Sequence, residues 1–177
     1  TDVPKPTVAP TAVPPTVAPT AVPPTAVPPT AAPVAGDPYK LGFVASITGP
    51  ASSLGIPERD TALMIQDQIN KAGGIKGADG KMHQLVIVAE DDASDATKAS
   101  LAAKKLVEQD KVAMLIGSSG SPASVAIGDY ATAQKIPLIS MASASTIVTG
   151  KDGKEKMWVV KTPQTNTPGT LVQLGYF

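Results

Sequence analysis

VAMLIGSSGSP, residues 112–122, decides the fold. Its first five residues are a continuous apolar run, the composition of a strand buried on both faces. Gly117, Ser118, Ser119 and Gly120 form a turn of small residues. Ser121-Pro122 then opens a helix, because Ser is a favoured N-cap and Pro a favoured first helical residue. A strand that passes through a Gly/Ser turn into a helix is half of a βαβ unit.

The same grammar holds on either side. Residues 84–89 (QLVIVA) read as a strand ending in Glu90-Asp91-Asp92, followed by a helix over about 95–109 with Ala99, Ala102 and Leu106 inward. Further upstream, LGFVASI at 41–47 is a strand ended by Thr48-Gly49-Pro50. The helix after it places Pro57 in its first turn, repeats Ala62, Ile65, Ile69 and Ala72 at helical spacing, and stops at Gly73-Gly74. Residues 73–81 read as turn-rich. Downstream, the helix opened by Ser121 runs to Gln134, Pro137-Leu138-Ile139-Ser140 is a short strand, MWVVK at 157–161 is a fifth, and a last helix begins near Pro168. Strands alternating with helices imply right-handed crossovers. The expected class is α/β: a doubly wound, mainly parallel sheet of strand order 2-1-3-4-5.

Two very different segments make up the 177 residues. Twelve of the 18 prolines lie in residues 1–38, where PTVAPTAVP occupies 6–14 and again 15–23, and PTAVP and PTAAP follow at 24–28 and 29–33. Pro fixes φ, removes amide donors and extends the residue before it, so this segment is expected to be a disordered, polyproline II-like tail. At about 3.1 Å per residue it spans on the order of 100 Å. A passive stalk is one reading, and a ligand for SH3- or WW-type modules the competing one. Residues 1–38 are thus read as a linker and 39–177 as one folded unit.

Composition excludes several function classes. Past Pro38 the chain has 14 Lys+Arg against 13 Asp+Glu, so no basic footprint for nucleic acid or anionic membrane is present. There is no Cys, hence no disulfide, thiolate metal site or Cys nucleophile. No apolar run reaches the roughly 18–20 residues of a membrane span. The chain begins at Thr1 without a basic-then-apolar leader, which points to a targeting peptide that has been removed or lies outside this sequence.

In doubly wound sheets ligands sit at the carboxyl ends of strands, at the switch between crossovers of opposite sense. For the order 2-1-3-4-5 that crevice is formed by residues 48–54 and 117–121, with 140–146 beside them. The free amides of the helix opened by Ser121, with its hydroxyl, suit a carboxylate; the bland alternative is that Ser121 only caps its own helix. Phosphate chemistry fits poorly: Gly49 and Gly55 are separated by five residues and followed by Ile56-Pro57, so no P-loop exists, and no glycine triplet follows the first strand. The only His, His83, reads as an ordinary loop residue at the edge opposite the crevice. Asp91 and Asp92 read as caps or acceptors for loop amides, since a receiver-type site needs an Asp where Gly117-Ser118 stands. Glu58, Arg59 and Asp60 read as a solvated first turn. No enzyme, cofactor or metal is expected.

Taken in order, Lys40-Leu41-Gly42-Phe43, Thr48-Gly49-Pro50, Gly55, Ile69-Asn70-Lys71-Ala72-Gly73-Gly74-Ile75, Glu90-Asp91-Asp92-Ala93, Ile116-Gly117 and Ile136-Pro137-Leu138-Ile139-Ser140 resemble the start of type I periplasmic substrate-binding proteins. The leucine/isoleucine/valine-binding proteins of ABC importers are the subgroup most similar. The resemblance covers about residues 40–165 and implies one lobe of a two-lobed protein that closes over an amino acid and docks on a permease. It implies that Ser121 takes the ligand carboxylate and that the Ala142 carbonyl meets the ammonium. Ala144 falls where relatives have a Thr, a hydroxyl that Ser143 or Ser145 would have to supply. Leu54 falls where a Tyr commonly lines the pocket, and Ser119 lies in the carboxylate loop. A branched-chain amino acid or related amide is the expected ligand, in an extracytoplasmic solute-binding protein (periplasm or cell surface) tethered to the membrane by a lipoprotein-type anchor ahead of Thr1. The chain is expected to be a truncated amino-terminal lobe, marginally stable, with surface meant for later helices exposed. The alternative is a sensor domain of the same fold.

Overall fold

The computed structural model of the chain describes residues 35–164. The proline-rich segment, apart from residues 35–38, and the helix expected from Pro168 lie outside the described residues.

In chain order the elements are β1 (Tyr39–Ala45), α1 (Ser52–Lys71), β2 (Ile75–Lys76), β3 (Met82–His83), β4 (Leu85–Asp91), α2 (Ala96–Glu108), β5 (Met114–Gly117), α3 (Ser121–Gln134), β6 (Leu138–Ser140), a 3₁₀ turn (Ser145–Ile147) and β7 (Val159–Lys161). Five strands form one sheet in the order β4-β1-β5-β6-β7, all neighbours parallel. Among the strands of this sheet that is the order 2-1-3-4-5. Phe43 stands level with Ala89 on one side and Ile116 on the other, and Ile116 with Ile139, so the apolar runs lie side by side.

The pleat sends alternate residues to opposite faces, and the two faces are unequal. On one, Val44, Leu115, Leu138 and Val159 pack against Ala99, Ala102, Ala103 and Leu106 of α2 and Ala123, Ile127 and Ala131 of α3. Leu106, Leu115 and Ile127 have no solvent exposure at all. Most of the side chains that α2 and α3 contribute to this core are alanines. On the other face lies α1, whose only buried residue is Gly55. Beneath it runs an open apolar groove of about 640 Å³ lined by Leu41, Phe43, Ile65, Ile87, Ile116 and Met141 among others. Ile65 and Met64 remain 43% and 53% exposed.

What holds α1 to the sheet edge is polar. The Asn70 side chain donates to Leu85 O and accepts from Leu85 N, both at 2.8 Å, and Gln66 Oε1 accepts from Ile87 N at 2.6 Å. These bonds satisfy backbone groups that edge strand β4 would otherwise leave to solvent or to another chain.

Four local expectations change. Pro57 lies in the second turn of α1, not the first, because the helix starts at Ser52, where Gly55 packs against Ser46 so closely that a Cβ would stand 2.2 Å from its carbonyl oxygen. The bond Pro57 forgoes would have gone only to the exposed first turn. The turn-rich stretch contains a small antiparallel hairpin, β2–β3, pairing Ile75 with His83. His83 is accordingly no ordinary loop residue: it is 6% exposed. Finally, Gly120 is the N-cap of α3, in extended conformation, and Ser121 is the first helical residue.

Candidate functional site

Three loops leave the carboxyl ends of β1, β5 and β6, and each is fixed by polar groups that the fold brings from elsewhere. The loop after β1 is held by the acidic pair at the end of β4. Asp91 Oδ1 accepts from the amides of Ile47 (2.9 Å), Thr48 (3.1 Å) and Ala93 (2.8 Å), while Oδ2 accepts from the Thr48 hydroxyl at 2.6 Å. Burial raises the Asp91 pKa, but these bonds outweigh it and hold the carboxyl below its ordinary value. Fully buried Asp92 accepts from the Ser46 hydroxyl at 2.6 Å and the Ser94 amide at 2.8 Å. The pair thus serves loop amides, as expected. Capping of α2 falls to Asp95, which accepts from Lys98 N at 2.8 Å. No group of three potential metal ligands occurs among the described residues.

The loops after β5 and β6 are joined by buried hydroxyls. Ser124, on α3, donates to Ser118 O (2.7 Å) and accepts from Ser118 N (3.1 Å) and from the Ser140 hydroxyl (2.8 Å). Ser140 Oγ in turn accepts from Ala142 N at 3.1 Å. Ser118, Ser124 and Ser140 are completely buried, and every bond in the chain uses a compatible donor and acceptor. One continuous relay therefore sets the spacing between residues 118–121 and 140–142. At the start of this loop Gly117 lies close against β1: its φ is +115°, and a Cβ there would stand 1.9 Å from Val44 O.

Within this frame Ser121 is half-buried, and its hydroxyl and amide have no protein partner among the described residues; the Ala123 amide is also free. Pro122 contributes no N–H. The opening of α3 therefore presents two amides, one hydroxyl and the positive end of the helix dipole, a set suited to an anionic oxygen pair. The capping role weighed for Ser121 is not observed. Ala142 is buried, with a carbonyl that no donor among the described residues engages. Ser143 is half-buried and its carbonyl accepts from Lys161 Nζ at 2.7 Å, which pins this loop to β7. Ala144 is half-buried at the start of the 3₁₀ turn. The structure thus brings Ser119, Ser121, Ala142, Ser143 and Ala144 to adjacent strand ends. Leu54 is 55% exposed and Ser145 is exposed; no side-chain bond ties either to these loops.

Glu58 corrects the expectation of a solvated first turn. Its carboxylate accepts the hydroxyl of Ser119, joining α1 to the loop after β5. Arg59 and Asp60 do pair with each other at 2.7 Å on the surface. The Ser relay was missed for a plain reason. Its members lie on a loop, a helix and a strand, and only the folded sheet puts Ser124 within reach of residues six and sixteen positions away. The periodic Ser and Gly of 117–124 was the one available signal.

Residues 38–174 match the profile of the family described as periplasmic binding protein. A leucine-, isoleucine-, valine-, threonine- and alanine-binding protein of Pseudomonas aeruginosa is 32% identical over 121 residues, covering 68% of this chain and 31% of that protein. Among solved structures, the branched-chain amino acid transporter substrate-binding protein LivJ of Streptococcus pneumoniae, in complex with isoleucine, has 30% identity and a TM-score of 0.63 over 73% of this chain and 35% of its own. A solute-binding protein of an ABC transporter from Rhodopseudomonas palustris, in complex with 3,4-dihydroxybenzoic acid, has 29% identity and a TM-score of 0.57 over 72% of this chain and 32% of its own. The chain spans about a third of the length of the relatives it matches.

Proposed function

We propose that this chain, which belongs to the periplasmic binding protein family, is the amino-terminal lobe of an extracytoplasmic solute-binding protein that receives a small carboxylic acid, an amino acid of branched-chain type or a related amide, for delivery to the permease of an ABC importer. Its work is binding without chemistry. The single observation that carries the reading is the opening of α3, where the Ser121 hydroxyl and the amides of Ser121 and Ala123 have no partner among the described residues. Isoleucine and 3,4-dihydroxybenzoic acid, the ligands of two relatives, share little except a carboxylate. A helix opening with free amides recognises that shared group whatever side chain follows it.

Ser121 is assigned to the carboxylate and the Ala142 carbonyl to an ammonium. Ser119, Ser143, Ala144, Ser145 and Leu54 are assigned to the rim, where they shape what is admitted. Closure then follows from linkage: a ligand held by this lobe and by a facing lobe favours the closed state by its differential affinity. Residues 1–38 are assigned as the stalk between this lobe and a membrane anchor.

Calorimetry on the longest product of the gene tests the ligand class. Isoleucine, leucine or valine should bind, and isoleucinol, which keeps the ammonium and side chain but lacks the carboxylate, should not. Equal binding of isoleucine and isoleucinol would overturn the assignment.

A further inference from the structure

We propose that His83 is a pH-sensitive latch that holds residues 35–38 against the β2–β3 hairpin, at the end of the sheet opposite the crevice. Both ring nitrogens of His83 face groups that only accept: Nδ1 lies 2.6 Å from the Asp37 carbonyl oxygen and Nε2 lies 3.0 Å from Asp79 Oδ1. A neutral imidazole carries one proton and serves one of them; only the imidazolium serves both. The ring is buried, and it stacks on Tyr39 with centroids 4.2 Å apart and planes 15° from parallel. Gly36 leaves it room, since a Cβ there would stand 2.3 Å from the ring. The same hairpin pairs with the lead-in segment through an Ala35–Met82 bridge and a 2.9 Å bond from Gly36 N to Met82 O. The ring thus lies where the segment that precedes β1 is fastened to the domain.

Among the described residues, the charged and titratable groups around it are few. Asp79 and Lys81 come from the hairpin and stand 4.0 Å apart, Asp37 comes from the lead-in segment, and Tyr39 from β1; Lys76, paired with Met82, is one residue out of register with His83. The Asp79 bond, then the Asp37 carbonyl, raise the His83 pKa above its ordinary 6.5, against burial and Lys81. A raised folded value means that the latch contributes fully below pH 6.5 and is lost as pH rises through the folded value. An acidic surrounding therefore fastens residues 35–38, and an alkaline one frees them, with the crevice untouched.

Amide exchange on the full chain, with rates corrected for intrinsic pH dependence, tests this. Protection of the Gly36 amide should fall as pH rises through the His83 midpoint read by NMR, while Leu115, whose amide bonds Pro137 O at 2.8 Å in the sheet, keeps its protection. Asp79→Asn should shift the His83 midpoint down, and His83→Gln should leave Gly36 weakly protected at every pH. If His83→Gln does not fold, the wild-type comparison of Gly36 with Leu115 decides alone. Gly36 protection that follows Leu115 at all pH values, or a His83 midpoint at or below 6.5, would overturn the latch.

Discussion

Asp91 accepts four hydrogen bonds, three from amides and one from the Thr48 hydroxyl, and so fixes the loop after β1. These bonds favour its charged form over the opposing effect of burial, which places the folded pKa below 3.8. The stability that Asp91 contributes is then present above pH 3.8 and is lost as pH falls through the folded value. In urea melts across acid pH, Asp91→Asn should be less stable than the wild type near neutrality, and the gap should close below pH 3.8. A gap of constant size at all pH values would show that the carboxylate charge is not what the loop amides use. Glu58 makes the complementary point about single residues. In the sequence it is one of three charges on a helix turn, and nothing local distinguishes it from Arg59 or Asp60; only the position of α1 over the sheet hands its carboxylate to Ser119.

At the scale of elements, α3 both supplies the proposed carboxylate site and carries the hydroxyl that spaces it from the loop after β6. Ser124→Ala removes the acceptor of Ser118 N and of the Ser140 hydroxyl in a fully buried place, and should cost about 1–3 kcal/mol in denaturant melts. Ser121, half-buried and without a partner among the described residues, should be close to neutral for stability when changed to Ala. Equal stability losses for the two would mean that the relay does not hold the loops. The five sheet strands, the three helices and the strand order were legible in the sequence because apolar runs such as LGFVASI and VAMLI are uninterrupted, and because Gly and Pro punctuate them. Elements of two residues carry no such signal. β2 and β3 were invisible for that reason, and with them the burial of His83 between hairpin, lead-in segment and Tyr39. The start of α1 was misplaced because propensity favoured Pro57 as an opener, whereas the packing of Gly55 on Ser46, a contact across nine residues, sets the true position.

At the largest scale, the described residues form a sheet whose two faces are covered unequally. One face is closed by α2 and α3; the other carries α1 over an apolar groove, and the matched stretch covers about a third of the relatives' length. Leu106→Ala, on the closed face, should cost about 2–5 kcal/mol, whereas Ile65→Ala, lining the groove and 43% exposed, should cost about 1 kcal/mol or less. Comparable losses at both positions would show that the groove is covered in the folded chain. The binding account itself was legible only in part. The sequence placed Ser121 at a helix opening and the loops at one crevice, but assigned Ser121 the cap that Gly120 occupies; that its hydroxyl and amide have no partner among the described residues came from the fold. The most direct test of the central claim is calorimetric titration of the longest gene product with its best-binding amino acid, wild type against Ser121→Ala. The account predicts a loss of about 1–3 kcal/mol, roughly 5- to 150-fold, from removing a donor to a charged carboxylate. An unchanged affinity in the mutant would take Ser121, and with it the carboxylate site at the opening of α3, out of the account.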